Sequence, residues 1–356
     1  MNPQDVLDKL SISRRQALIG GSAGIAAVTF GLPRSAHVAA AQDATPAIAL
    51  TWDDFDQMLA ATAPHTAALA AEIIDDVPVL IHGVNADDDM PVGSSFKWYV
   101  LGTIAQQIEA GTLDWEQLVT IEAEHKSVPS GDLRYAPDGS EYTLRYLAER
   151  MMQKSDNTAT DVLIYLVGRE NVEAMMTTMG HHDPSLNIPL LTTREFAFLK
   201  LAVPTADIDA YLAASVDERR QILTDKIDPM PYEALAVADN QTAPIELFRL
   251  EWFATRTDLA NAVTWIRLQS QKEGMKPLTE VIALETQLVF NGEVWPYVGF
   301  KGGSELGMVN GTWLLMRADG RWFIYSIIFA NEDAPLDMAP IVPVMEAGRD
   351  IVAVTP

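Results

Sequence analysis

The sequence predicts an α/β (α+β) chain, an antiparallel sheet with flanking helices joined to an all-helical subdomain, with a candidate site between the two. Three observations predict it. Residues 294–300, 311–317 and 321–329 are rich in Trp, Tyr, Val and Ile and are separated by Gly-containing turns such as Ala318-Asp319-Gly320. That is the pattern of consecutive antiparallel strands. Near the other end, Val77-Pro78-Val79-Leu80-Ile81-His82-Gly83-Val84 reads as a further strand. Between them, roughly 93 to 290 reads mostly helical, so the first and last parts are expected to share one sheet. The expected domain is 51–356, with 51–92 and 291–356 in the sheet subdomain and 93–290 in the helical one.

Residues 1–41 read as a twin-arginine signal peptide. Ser13-Arg14-Arg15-Gln16-Ala17-Leu18 supplies the paired arginines, a weakly apolar Gly/Ala-rich stretch runs to Pro33, and Ala39 and Ala41 offer a small-residue cleavage site. The stretch falls short of the roughly twenty residues that span a bilayer. Export is therefore expected, with no stable membrane insertion after cleavage. Gly20-Gly21-Ser22-Ala23-Gly24 has the spacing of a nucleophile elbow but lies inside this segment with no strand before it, so no chemistry is assigned to it. Residues 42–50 read as a linker.

Composition narrows the function. The chain of 356 residues is 48% hydrophobic, with 8 Trp and 11 Phe, enough for a large core. It has no cysteine, which excludes disulfides, thiolate metal sites and cysteine nucleophiles. The formal charge is −24; without residues 1–41, which hold four basic and two acidic residues, 21 basic face 47 acidic residues and the charge is −26. Such a surface repels nucleic acid and anionic membrane. A small-molecule substrate remains as the expected partner, and nothing in the sequence fixes an oligomeric state.

Along the chain, residues 52–74 have apolar residues at helical spacing, and Asn85-Ala86-Asp87-Asp88-Asp89 reads as a solvated hairpin turn. It lacks the alternating ligands and terminal Glu of a calcium loop. A helix is expected from Trp98 to Glu109, a loop over 126–140, and a helix over 142–153. Another helix follows from Thr158, with Thr158-Ala159-Thr160-Asp161 in the form of a capping box. The stretch 180–189 reads as a loop closing on a second capping box, Thr192-Thr193-Arg194-Glu195. Residues 205–290 read as mostly helical, and 337–352 as a last helix.

Gly93-Ser94-Ser95-Phe96-Lys97 stands where an extended stretch gives way to a helix. Spacing of three puts Ser94 and Lys97 on one face of a first turn. A serine hydroxyl needs a base to become a nucleophile, and a buried lysine held neutral can serve as one. Helix-start N–H groups favour negative charge on a forming oxyanion.

Downstream stand Ser155-Asp156-Asn157 and Lys301-Gly302-Gly303-Ser304. In this order and context the three boxes resemble those of class A β-lactamases and penicillin-binding proteins, over most of 51–356. Phe300-Lys301-Gly302-Gly303-Ser304-Glu305 and Thr193-Arg194-Glu195-Phe196 look more narrowly like an actinobacterial-type subgroup of β-lactamase-related serine hydrolases. That subgroup includes the hydrolase domain of an enzyme of clavulanic acid biosynthesis with esterase activity on cephalosporins. The resemblance implies a β-lactamase/transpeptidase-like fold, no cofactor, no metal, and an acyl-enzyme on Ser94. Lys97 would be the base or part of the proton relay, and Ser155 would pass a proton to the leaving group. Asn157 would bind the substrate amide and Lys301 its carboxylate. Gly303 belongs to the substrate-binding strand, and the N–H groups of Ser94 and Ser304 would form the oxyanion hole.

Departures from the family pattern are informative. Gly302 replaces the threonine of the third box, and the stretch between second and third boxes is long, which implies an insertion within 203–290. Asp183-Pro184-Ser185-Leu186-Asn187 is similar to the family's Glu-Pro-x-Leu-Asn, with Asp183 in the place of the catalytic Glu. Asp183 is therefore a candidate for activating the deacylating water, against the plainer role of capping its own Asp-Pro turn. Tyr135 is a candidate aromatic wall of the cleft. Glu305, beside a proposed oxyanion donor, is a candidate for shaping substrate choice or a plain turn residue. Glu195 is explained by its capping box. His181 and His182, as chain neighbours, are expected to point apart and to hold no metal.

Three functions fit: β-lactam hydrolysis, an esterase or D-alanyl peptidase-like acyl transferase, and a non-catalytic β-lactam or peptidoglycan sensor. The complete set Ser94, Lys97, Ser155 and Lys301 favours an enzyme, with a β-lactam, an ester or a peptidoglycan-like peptide as substrate.

Overall fold

The computed structural model describes residues 50–356; the expected signal peptide and all but the end of the linker lie outside the described residues. Helix α1 (Trp52–Ala60) opens with a capping box at Thr51, whose hydroxyl accepts from Asp54 N while the Asp54 carboxylate accepts from Thr51 N. The helical reading of 52–74 ends there. Residues His65–Ile74 are strand β1, which turns at Asp75-Asp76, both at positive φ, into β2 (Val77–Val84).

The physical reason lies in the sheet. With β7 (Tyr297–Glu305), β8 (Met308–Met316) and β9 (Trp322–Ala330), the antiparallel order is β2-β1-β9-β8-β7. β1 lies between neighbours with both faces covered, so Ala67 to Ala71 are all buried and show no polar alternation. One face of the sheet packs Tyr325, Ile327 and Phe329 against Phe55 and Leu59 of α1 and against Ile341 and Val352 of α11 (Met338–Val354). The other face turns Leu69, Leu314 and Ile324 toward Trp98, Leu101 and Ile104 of α2 (Lys97–Glu109). A sheet flanked by helices, with a helical subdomain between its first and last strands, is the architecture the sequence predicts.

Several local expectations shift. Residues 85–89 do not close a hairpin; they lead to β3 (Met90–Pro91), which pairs with β6 (Phe253–Ala254) instead of folding back on β2. The helix expected from 142 starts two residues later, because β5 (Ser140–Thr143) pairs with β4 (Leu118–Ile121) and Thr143 caps α3 (Leu144–Gln153). Helix α4 (Asn157–Val167) is capped by Asp156, not by a box at Thr158 and Asp161. The side chains of that expected box are used elsewhere: Thr158 Oγ1 accepts from Ser127 N at 3.1 Å, and Asp161 accepts from Thr193 N at 2.7 Å and Arg194 N at 2.9 Å.

Those last two bonds seat the start of α6 (Thr193–Leu201), which follows α5 (Arg169–Thr178) and carries the expected capping box at Thr192. The extra length contains α7 (Thr205–Ala213), α8 (Val216–Ile222) and further helical turns to residue 240. After β6 come α9 (Arg256–Ser270) and α10 (Lys276–Ile282), and the chain is then irregular until β7. β7 runs on to Glu305, beyond the strand expected over 294–300, so the third box lies within the strand. No described helix is long and apolar enough to cross a membrane.

Asp156 is a hinge of this arrangement. Its carboxylate is wholly buried and accepts from Asp132 N (2.9 Å), Leu133 N (3.0 Å) and Ala159 N (2.9 Å). Asp156→Ala leaves those donors unmet and is expected to lower the unfolding free energy by about 2–4 kcal/mol. Urea unfolding, with an unchanged slope, is the measurement.

Candidate active site

The 3₁₀ turn Gly93–Phe96 feeds directly into α2, so Ser94 and Lys97 stand together at the helix start. Ser94 is half-buried; its hydroxyl makes no hydrogen bond among the described residues and lines the cleft. Lys97 is 0% exposed. Its Nζ donates to Ser155 O (2.7 Å) and Asn157 Oδ1 (2.8 Å) and lies 3.1 Å from Ser155 Oγ. Ser155 has φ +52, an uncommon backbone for a residue with a Cβ. Its carbonyl is held by Lys97 and by Ser130 Oγ at 2.6 Å. From the strand side, Lys301 Nζ also reaches Ser155 Oγ at 3.1 Å. Two amines thus converge on one hydroxyl.

Burial sets the charge of both. It pushes the Lys97 amine down to about 7, against the opposing pull of Asp156 and Asp161. It pushes Lys301 well below the ordinary lysine range, and the nearby Lys97 adds to this. Asp161 is itself raised by burial to about 7, opposed by the N–H groups of Thr193 and Arg194. A neutral amine with a free lone pair is what proton abstraction from a serine requires.

β7 is an edge of the sheet and packs against the 3₁₀ turn. The approach is close at Gly303: a Cβ there would lie 2.2 Å from Val92 O and 2.7 Å from Ser94 N. Gly302, the departure from the family pattern, is also confined, since a Cβ would meet Asn310 O at 2.5 Å; a threonine does not fit this strand. Asn310 of β8 locks the turn from below, donating to Val92 O (2.8 Å) and accepting from Ser95 Oγ (2.5 Å). Ser304 lies beside Gly303 in the same cleft wall.

Of the residues the sequence singles out, Ser94, Ser155, Asn157, Lys301, Gly303 and Ser304 line one cleft, with Lys97 buried behind them. Asp183 and Tyr135 do not line it. Asp183 accepts from Ser185 N (3.1 Å) and Ser185 Oγ (2.5 Å), an Asx turn within its own loop. Asn187 turns to the backbone of Phe253, accepting from its N–H at 2.8 Å and donating to its carbonyl at 2.9 Å. Tyr135 is 74% exposed, under the guanidinium of Arg134. Glu195 points away to Arg169, at 2.6 and 3.0 Å.

The aromatic wall expected of Tyr135 is supplied by Phe196 and Trp252, with Trp252 stacked between the buried Phe96 and Phe196 at 4.1 and 4.4 Å. Lys200 and Glu251 also line the cleft, and sequence reasoning missed both. Lys200 was findable, since it follows Phe196 by four residues on one helix face. Glu251 sits in an irregular segment with no spacing signal.

His181 and His182 do not point apart. Their rings stack at 5.5 Å and 9°, and Asp258 joins them with its ligand atoms within 4.8 Å. All three are engaged: His181 Nδ1 accepts from Asp183 N, its Nε2 meets Phe253 O at 2.9 Å, and Asp258 holds His182 through its N–H and Nδ1. The cluster fastens the loop.

A family model described as the β-lactamase enzyme family matches residues 52–222, just under half of the chain. A β-lactamase from Sphaerobacter thermophilus superposes with a TM-score of 0.59 at 19% identity, covering 86% of this chain and 100% of that one. An ancestral class A β-lactamase gives 0.58 at 14%, covering 85% and 99%. The fold is that of class A β-lactamases and penicillin-binding proteins. A variant of PBP-A, solved as an acyl-enzyme complex with penicillin G, has the same β-lactamase-like fold, with a TM-score of 0.55 at 13% identity over 84% of this chain and 94% of that one. By sequence, β-lactamase SME-1 of Serratia marcescens is 29% identical over 109 residues, 28% of this chain and 35% of that protein. The match thus spans about a third of that curated relative.

Two buried lysines of this β-lactamase-like cleft, Lys97 and Lys301, are expected to titrate below the ordinary lysine range. Nitrogen-detected NMR of Nζ-labelled protein should show both amines displaced from the rest, the one with a midpoint near 7 assigned by its loss in Lys97→Met and the other by its loss in Lys301→Met. Asp161→Asn removes a negative neighbour of Lys97 and should move its midpoint lower still.

Proposed function

We propose that the chain is a serine acyl-transfer hydrolase with β-lactams as its substrate class, acylated on Ser94, and exported through the signal read in residues 1–41. The observation that carries this reading is Ser155 Oγ, 3.1 Å from both Lys97 Nζ and Lys301 Nζ in the cleft that holds Ser94. As Ser94 Oγ bonds to the substrate carbonyl carbon, its proton passes to neutral Lys97. Charge develops on the carbonyl oxygen between the N–H groups of Ser94 and Ser304, where each donor is worth about a hundred- to a thousand-fold in rate. The C–N bond then breaks, and the leaving nitrogen takes its proton through Ser155, the hydroxyl both amines share. Lys301 supplies positive potential for a substrate carboxylate, and Asn157 faces the substrate amide while its side chain braces Lys97. Water releases the acyl group and restores Ser94.

A second reading, an esterase with slow β-lactam turnover, is favoured by one observation. Neither Asp183 nor Glu195 turns its carboxylate into the cleft, so the loop supplies no base for the deacylating water. The narrower resemblance carried by 193–196 and 300–305 points the same way.

Intact-protein mass spectrometry with a penicillin tests both. An adduct on the wild type and none on Ser94→Ala is expected. Lys97→Arg, which keeps its charge at any accessible pH, should acylate on the order of a hundred- to ten-thousand-fold more slowly. The wild-type acylation rate should rise with pH through about 7, as Lys97 loses its proton. A long-lived penicillin adduct beside rapid turnover of an aryl ester would select the second reading.

Asp183→Asn should leave the adduct lifetime within about threefold of wild type, because it lies outside the cleft and serves its own turn. A lifetime extended on the order of a hundred-fold would return Asp183 to the mechanism.

A further inference from the structure

Beside the groups used above, the cleft holds a buried ion cluster drawn from three separate parts of the chain. Lys200 of α6 donates to both carboxylate oxygens of Glu305, at 2.7 and 3.0 Å, and lies 4.0 Å from Glu251 Oε1. The side chains of Lys200 and Glu251 are 4% and 1% exposed, and that of Glu305 is 22% exposed. Glu251 Oε2 accepts from Gly93 N at 2.8 Å. The Lys200 ammonium also rests 4.5 Å over the ring of Phe196, which fixes it sideways.

The partners are placed tellingly. Gly93 immediately precedes Ser94, and Glu305 immediately follows Ser304, so each carboxylate belongs to or holds a residue next to one proposed oxyanion donor. Those donors lie on elements remote in sequence, the 3₁₀ turn and the edge strand β7. The turn and the strand approach closely enough that a Cβ on Gly93 would stand 3.5 Å from Ser304 N.

We propose that Lys200 is a positioning residue for the oxyanion hole: through Glu251 and Glu305 it ties the turn bearing Ser94 to the strand bearing Ser304 and keeps the charge of both carboxylates from opposing the forming oxyanion. The inference rests on the acyl-enzyme reading given above. Two carboxylates beside an oxyanion hole repel the charge that the hole must stabilise, and one ammonium among them offsets that repulsion. Burial and the neighbouring Glu305 push Glu251 up to about 8, so near neutral pH the cluster carries no net negative charge. The groups facing Glu251 are Lys200 from α6, Glu305 from β7, the N–H of Gly93 from the turn and the N–H of Trp252 from its own segment.

Single-turnover acylation by a penicillin and an aryl ester, followed from pH 6 to 10, is the test. Lys200→Met should slow the acylation step about ten- to a hundred-fold while KM moves less than about threefold. The loss should deepen as pH rises and the carboxylates ionise. Lys200→Arg, which keeps the cation, should recover most of the rate, and Glu251→Gln added to Lys200→Met should recover part of it at high pH. In an otherwise native chain the acylation rate should fall as Glu251 ionises above about pH 8, and Glu251→Gln should weaken that fall.

Acylation by Lys200→Met within twofold of wild type across the range overturns the inference. So does a pH-independent loss that the added Glu251→Gln does not relieve, which would mark a merely structural lysine. Should Lys200→Met not fold, a Glu251→Gln profile that coincides with wild type above pH 8 is equally decisive against it. A wild type that neither substrate acylates, with Ser94→Ala no different, overturns the reading of the site and this inference with it.

Discussion

The amine of Lys97 is entirely out of water, yet it has three oxygen neighbours within 3.1 Å, and the surrounding fold is arranged to hold it there. Burying a cation is costly unless it is paired or gives up its proton. This chain does some of both. Asp156 and Asp161 lie close enough to favour the charged form, and desolvation outweighs them to leave a proton affinity near neutrality. A second amine, Lys301, in the same pocket makes two simultaneous charges still less favourable. The result is an amine poised to take a proton, produced by burial and not by any special partner.

The compensating carboxylates are also structural. Asp156 caps α4 and fastens the loop at residues 132 and 133, while Asp161 receives the first N–H groups of α6. Removing either one alters the field at Lys97 and the shape of the cleft together. On the other side, Asn310 and Gly303 bring the edge strand against the turn that carries Ser94. The site is therefore a seam between sheet and helices, closed by hydrogen bonds to backbone atoms on both sides. Side chains alone would leave it free to open; backbone anchors restrict that motion.

Legibility in the sequence followed the physics of each segment. The three C-terminal strands were plain because they combine β-branched and aromatic residues with Gly turns. The strand at residues 65–74 was hidden because a strand covered on both faces loses its alternation, and its alanines suit a helix equally well. Ser94, Lys97, Ser155, Asn157 and Lys301 were legible as short motifs, each fixed by local geometry at a helix start or along a strand. Asp183 misled because an Asp-Pro turn and a catalytic loop share a local pattern, and only the tertiary path of the chain tells them apart. Glu251 was invisible: its partner Gly93 is 158 residues away, and no periodicity encodes that contact. Capping boxes divided the same way. Thr192 and Glu195 satisfy each other, whereas Thr158 and Asp161 were claimed by distant backbone N–H groups, because a buried donor elsewhere outweighs one more cap on a helix that Asp156 already serves.

The aromatic wall then constrains the proposed reaction. Trp252 and Phe196 line the cleft, with Trp252 stacked on the buried Phe96, and Glu195 is held at 2.6 Å by Arg169. Turning that glutamate inward would break a buried ion pair and strip α6 of its cap, a cost of several kcal/mol by the usual scale of such losses, on the order of 3–5 for the pair alone. A water approaching the acylated Ser94 must therefore find its base among the groups already in the cleft. Lys97 qualifies only after giving up the proton it took from Ser94, and the route for that proton runs through Ser155 to the departing group. Once that proton has passed to the leaving nitrogen the amine is neutral again, and its lowered proton affinity favours that state. On this reading the same amine serves both halves of the reaction, and the second half waits on the completion of the first.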